Sequence, residues 1–230
     1  MSYADSATTY SPRIWHVDDD LQDYPEADFT SISDAVDAAS SGDIIVVHPG
    51  TYEETIDING ENLTIKGTNR DEVVVKGNIT ITAIQDSTIN VTLYNFTIRN
   101  TEYGIRNNIA IPRAPGFTST TSRTNSPGTT GFILNITSLK IKNTTFAINI
   151  TLIDAVMNAV VEDCIFENNT YGIRVYGEVS SIQNLEIIDN TFINTTNTPI
   201  LVQGLRIGPQ DYTLSIDNTL IEVTYLHGHH

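Results

Sequence analysis

Two acidic residues and one arginine in the second half of the sequence have the types and spacing for acid–base chemistry. Asp163 and Asp189 each sit inside one short phrase: an apolar residue, a spacer, Asn or Asp, two spacers, then Phe or Ile. The phrase occurs as Leu93–Asn95–Ile98, Ile141–Asn143–Phe146, Val161–Asp163–Phe166 and Ile187–Asp189–Phe192. Aligning the phrases makes Asn95, Asn143, Asp163 and Asp189 equivalent, and on stacked coils about 4.8 Å apart the two carboxylates become neighbours. In such a pair each charge raises the other's pKa, which can supply an acid. Arg174, in Tyr171-Gly172-Ile173-Arg174, matches Arg106 in Tyr103-Gly104-Ile105-Arg106 and could neutralise the pair or hold an oxyanion. The same positions also suit an amide ladder, with Asn-type side chains hydrogen-bonding up the stack and to turn backbone. The ladder is the expectation carried forward, and the pair with Arg174 is the enzymatic alternative.

Other ligand-type residues are sparser. Asp18, Asp20 and Asp23, with Asp19 and Glu26 nearby, offer hard oxygen ligands that could hold a structural calcium ion. The glycine and the bidentate glutamate of a full calcium loop are absent, so a solvated acidic turn is the simpler expectation. No other cofactor is expected. His16 and His48 each lie in or beside an apolar run with no second histidine at ligand spacing, so both read as packed or edge histidines. Cys164 is the single cysteine, which excludes an intrachain disulfide and suggests a small apolar side chain in the interior.

The elements that must position these residues are strands. A period in the twenties, built from short β-branched runs and Asn-rich turns, marks a solenoid whose coils cover one another. The first interval between phrases is about twice the others and reads as two turns. Residues 1–13 read as a flexible arm, 14–226 as one domain and 227–230 as a tail. Ile32, Ala35, Val36 and Ala39 give the face of a short helix, capped by Thr30 or Ser31 and ended by Ser41-Gly42. Strands follow at Ile44–Val47, Thr55–Ile58, Leu63–Lys66, Val73–Val75 and Ile79–Thr82, with polar corners between them. Near-continuous apolar runs favour parallel stacking; Asn59-Gly60 is the one dipeptide that suggests a hairpin. The Ser/Thr/Pro/Gly-rich stretch at about 112–131 reads as a loop thrust out of a coil, a candidate for carbohydrate binding. Thr213–Ile216 and Leu220–Tyr225 read as final strands with no evident polar cap.

The segment from Trp15-His16-Val17-Asp18-Asp19-Asp20 through Asp28-Phe29-Thr30-Ser31-Ile32, Ala38-Ala39-Ser40-Ser41-Gly42-Asp43-Ile44-Ile45-Val46-Val47 and Pro49-Gly50-Thr51-Tyr52-Glu53-Glu54 resembles a known opening. It is similar to the N-terminal coil and capping helix of the pectin lyase-like superfamily, including pectin methylesterases. The phrase Asp163-Cys164-Ile165-Phe166-Glu167-Asn168-Asn169-Thr170-Tyr171-Gly172-Ile173 resembles the repeats of archaeal and bacterial surface proteins of that superfamily. The resemblance covers residues 15 to about 205. It implies an all-β chain folded as a right-handed, single-stranded parallel β-helix with a short N-terminal capping helix. The Asp-Phe-x-Phe-Gly and Gly-Arg-Pro-Trp elements of the methylesterases are absent, so the resemblance implies a fold and no particular activity.

Composition narrows the function. The net charge of −16 and the pI near 4.4 argue against nucleic acid and anionic membranes, which need clustered Lys and Arg. A polyanionic substrate is disfavoured too, unless calcium bridges it. No apolar run is long enough to span a membrane. Residues 1–5 lack the basic-then-apolar pattern of a secretion signal, which leaves a cytosolic protein or a mature secreted form. Nine Asn-x-Thr sequons, at Asn62, Asn78, Asn90, Asn95, Asn135, Asn143, Asn149, Asn168 and Asn194, favour an extracellular or cell-surface glycoprotein. Asn and Thr also suit solenoid turns and ladders, so sequons accumulate there without glycans. The expected function is a non-catalytic structural protein of a surface layer, sheath or fibre that self-associates. A polysaccharide lyase or carbohydrate esterase and a carbohydrate-binding module, both with glycan partners, are the alternatives.

Overall fold

Runs of Ile, Val and Thr too short to stand alone bury one edge-to-edge row by stacking on the next coil. In the computed structural model, which describes residues 11–110, 130–153, 155–178, 181–203, 213–217 and 220–222, every named strand pairing is parallel. The chain passes through Ile44–Val47 in a first sheet, Gly50–Tyr52 in a second and Ile56–Asn59 in a third. It then returns to the first sheet at Leu63–Gly67 and repeats the circuit for about six turns. The three sheets hold 8, 7 and 6 strands, and together they form a parallel β-helix. Asn59-Gly60 makes a corner between the third and first sheets, with Gly60 at φ 85°, and no hairpin forms there.

Each sheet turns one row of side chains inward. Ile65, Leu93, Ile136, Val161 and Ile187 stack on the first sheet. Tyr52, Val75, Ile98, Ile141, Phe166 and Phe192 stack on the second. Ile56, Ile79, Ile105, Ile148 and Ile173 stack on the third. All of these are buried, and each such side chain contributes about 1.5–3 kcal/mol. Gly172 keeps its interior position because an added Cβ would fall 2.3 Å from the Pro199 carbonyl oxygen and 2.6 Å from the Phe192 ring.

The helix Ile32–Ala38 stands where the first coil would otherwise need strands in the second and third sheets. It buries Ile32, Ala35 and Val36, and the Ser31 side chain accepts from the Asp34 N–H as its N-cap. Glu54 ties it to the solenoid. One carboxylate oxygen accepts from the Ile32 N–H, the other from the Ser31 hydroxyl and the Ser33 N–H, each at 2.8 Å. At its far end buried Asp43 accepts from the Arg13 and Ser40 N–H groups and from the Trp15 indole. No helix of the described residues is long and apolar enough to cross a membrane.

The corners correct the alignment expected from the sequence. Asn95, Ser138, Asp163 and Asp189 are successive corners between the first and second sheets, with φ values of 61°, 54°, 51° and 54°. Asn143 belongs to the next corner, between the second and third sheets, where it stacks with Asn100, Asn168 and Asn194. Both corners have an inward apolar residue, an αL position favouring Asn or Asp, and an inward residue on the following strand. The phrase therefore fits either corner. The long first interval is one turn, not two: Leu93 is paired directly with Ile136.

The candidate binding loop at about 112–131 lies outside the described residues, except for its last two positions, which begin the strand Thr130–Thr137. The register of Tyr103–Arg106 on Phe146–Asn149 ends at Arg106. Beyond it the Asn107 amide replaces the ladder, accepting from the Thr151 N–H at 2.7 Å and donating to its carbonyl at 2.9 Å. Of the expected N-terminal arm only residues 11–13 are described, and 227–230 lie outside. The last described strands are Thr213–Asp217 and Leu220–Glu222.

The amide ladder runs through the corner asparagines, where Asn143 donates to Asn100, Asn194 to Asn168 and Asn95 to the Gly67 carbonyl, and a second set of amides lies one residue further along two of the corners. Buried Asn169 accepts from the N–H and hydroxyl of Thr144 and donates to the Ile141 carbonyl. Buried Asn190 does the same one corner earlier, accepting from the Cys164 N–H and donating to the Val161 carbonyl. Asn169→Ala would strand these buried groups and is expected to cost about 2–4 kcal/mol in urea unfolding. Asn143→Gly, at an exposed αL corner, should stay within about 0.5 kcal/mol. Equal costs for the two would remove the assigned role of the buried amides.

Candidate functional site

The enzymatic trio is not assembled. Asp163 and Asp189 do occupy the same corner of adjacent coils, one coil spacing apart, and both side chains face solvent. The Asp163 carboxylate accepts from the Ser138 hydroxyl at 2.8 Å. Its cation is Arg70, whose Nη1 lies 3.8 Å from Oδ2 and donates to the Asp163 carbonyl at 3.4 Å. Arg70 is itself held from behind, its carbonyl accepting from the Thr97 hydroxyl at 2.6 Å. Arg174 stands on the third sheet, in a row with Thr80, Arg106 and Asn149. Its guanidinium sits 5.6 Å from the Phe146 ring centre, and that of Arg106 sits 5.5 Å from the Tyr103 ring centre. Tyr103, Phe146 and Tyr171 stack at 5.3 and 4.8 Å, so the two arginines belong to an aromatic column. Arg174 cannot serve a carboxylate on another face of the solenoid.

The acidic turn is organised by its own carboxylates. Asp18, Asp19 and Asp20 bring ligand oxygens within 4.8 Å of one another, whereas Asp23 lies outside that group. Buried Asp18 accepts from the N–H groups of Tyr24 and Asp20, Asp19 from Thr51, and Asp20 from Gln22. A cation there would be held by Asp18, Asp19 and Asp20, in competition with these backbone donors.

His16 and His48, remote in sequence, meet. His16 Nδ1 and His48 Nε2 are 3.0 Å apart, and Tyr24 stacks on both rings at 4.6 and 4.2 Å. A hydrogen bond between two imidazoles needs one nitrogen with a lone pair, so the contact cannot survive protonation of both. Cys164 is buried as expected; its thiol donates to the Glu162 carbonyl at 3.2 Å, and burial pushes its pKa up to about 12. That thiol is no nucleophile.

Sequence reasoning missed a row of cations on the outer face of the second sheet, because Lys76, Arg99 and Lys142 are dispersed along the chain. A depression of about 300 Å³ lies on the first sheet, lined by Thr88, Gly131, Ile133, Val156, Asn158 and Gln183 among others. All nine sequon asparagines lie outside the core; Asn62, Asn90, Asn143 and Asn168 are exposed and the other five half-buried.

No family model and no curated protein matches the sequence. Among solved structures the chain is similar to the PL6 family alginate lyase AlyGC, in an arginine-to-alanine variant, at 10% identity and a TM-score of 0.35. The alignment covers 92% of this chain and 40% of that one, and a likeness of this degree does not bear on activity.

The histidine contact has a pH signature. His48 is held below its ordinary pKa of about 6.5 by partial burial first and then by His16, against the pull of Asp18 and Asp23. A histidine depressed in the fold favours the neutral form, so its contribution is complete above the unfolded pKa and is lost as pH falls through the folded one. The stability difference between wild type and His48→Gln should therefore shrink in urea titrations taken from about pH 7 down to about pH 5. A difference that stays constant or grows would contradict the assignment.

Proposed function

We propose that this β-helix is a non-catalytic structural protein of an extracellular surface layer, sheath or fibre, carrying N-glycans and associating with further copies of itself. The observation that carries this reading is the separation of Arg174 from Asp163 and Asp189, with Asp163 already facing Arg70 and Ser138. The outer rows support it as well. Asn90, Thr92, Asn135 and Asn158 lie along the first sheet, a polar, weakly charged exterior suited to repeated contact rather than turnover. The alternative, a polysaccharide lyase or esterase using Asp163, Asp189 and Arg174, requires those residues on one face.

Electron microscopy of the purified chain is expected to show ordered polymers or sheets; a protein strictly monomeric at high concentration would refute the assembly. Release of unsaturated sugars or methanol from uronate polysaccharides is expected to be nil. Turnover that Asp163→Asn abolishes would establish the enzymatic reading instead. In the absence of turnover, Asp163→Asn should change stability by less than about 1 kcal/mol, since it removes an exposed ion pair.

Glycan placement is a separate expectation. In material from the native host, glycopeptide mass spectrometry should find occupancy first at exposed Asn62, Asn90, Asn143 and Asn168. Asn194, whose Oδ1 is buried and whose Nδ2 donates to Asn168, should be the poorer acceptor. Bare polypeptide at all nine positions would remove the sequons as support for a surface location.

A further inference from the structure

The second sheet gathers, on or beside its outer face, five of the 12 Lys and Arg residues: Arg70, Lys76, Arg99, Lys140 and Lys142. Continuing the registers of Tyr52 on Val75 and of Val75 on Ile98 places Glu53, Lys76, Arg99, Lys142 and Glu167 in one row along the axis. The ends of the row are neutralised. Lys76 pairs with Glu53, and Lys140, on the adjoining row, lies 3.5 Å from Asp71 and 3.6 Å from Glu167. Arg99 and Lys142, in the middle, make no ion pair among the described residues, the carboxylate of Glu167, which is paired in register with Lys142, lying against Lys140 instead. The Arg99 Nε–H is also hidden from solvent without an acceptor. Like charges on directly paired positions of adjacent strands repel, and a chain of net charge −16 has carboxylates in excess with which to relieve them.

We infer that Arg99 and Lys142 form a binding site for a single oxyanionic group, a carboxylate or sulfate, with the exposed corner amide of Asn100 beside it. The arginine supplies a planar fork that matches two oxygens, and the lysine supplies a mobile point charge. The bound anion replaces repulsion between the cations with attraction to both. Glu53 and Glu167 bracket the row, so the site takes one anionic group and rejects a long polyanion laid along the axis. The group comes either from a free inorganic ion or from an acidic sugar. The site does not depend on the structural role proposed above, since it is defined by charge placement alone.

The test is a titration of the full chain at low ionic strength with sodium sulfate and, separately, with sodium glucuronate. The readout is the arginine Nε–Hε resonances by NMR, with sodium chloride at matched ionic strength as the control. One cross-peak, absent in Arg99→Gln, should shift saturably with the oxyanion and not with chloride. Lys142→Met should weaken binding by about tenfold or more, as loss of one charge-assisted contact does. Lys142→Glu places a carboxylate beside Arg99, and it should abolish the titration. Tighter sulfate binding marks an inorganic dianion as the source, and tighter glucuronate binding marks a sugar carboxylate. The inference is overturned if chloride shifts the peak equally or if Lys142→Met binds unchanged. Should Arg99→Gln fail to fold, the two Lys142 variants decide the question.

Discussion

Parallel pairing in register places every side chain on its counterpart one coil away, about 4.8 Å distant. Inside the solenoid this is favourable, because Ile stacks on Ile and Phe166 on Phe192, with ring centres 4.8 Å apart, and each apolar side chain covers the next. Outside, the same constraint penalises charge, since a charged residue repeated on successive coils meets its like. The low charged fraction, 17%, and the Asn/Thr-rich exterior answer that constraint. Where charges do stack, they are relieved in opposite pairs such as Glu53 with Lys76, or absorbed by aromatic rings as with Arg106 and Arg174.

Corners pose the complementary problem. A strand that turns through the αL region leaves backbone N–H and C=O groups facing the interior, and water cannot reach them. Two kinds of residue divide the work. An exposed or half-buried Asn, Asp or Ser takes the positive φ, and at most of these corners the residue after it is buried. Where that inward residue is Asn169 or Asn190, its amide satisfies the corner of the preceding coil. Where it is Cys164, the thiol donates weakly to the Glu162 carbonyl. The Asn-rich composition is thus partly structural, and the sequons share its cause: in a strand reading Asn-x-Thr, Asn and Thr face out while the middle residue faces the core.

The N-terminal coil depends on buried or partly buried carboxylates. Asp18, Asp43 and Glu54 each accept several backbone or side-chain donors, fixing the acidic turn, the first strand and the helix against the solenoid. Asp18, Asp19 and Asp20, the acidic residues that looked most like a metal set, each hold a backbone N–H of the N-terminal coils, while two cations without an ion pair, Arg99 and Lys142, adjoin on the second sheet.

The sequence by itself determined the fold class, a short helix capped by Thr30 or Ser31, and the places of several strands; Ile44–Val47 and Val73–Val75 agree end for end. Those features follow from local physics: period-two apolar runs, a capping hydroxyl, and αL-tolerant residues at corners. The sequence could not determine which residues stack, because both corners satisfy one pattern and coil length varies, most of all across 111–129. Arg70 reaches Asp163 across 93 positions and His16 reaches His48 across 32. Arg99 adjoins Lys142 only because a whole coil intervenes. Those juxtapositions exist in the solenoid register alone, which is fixed by the closure of each turn on the one before it.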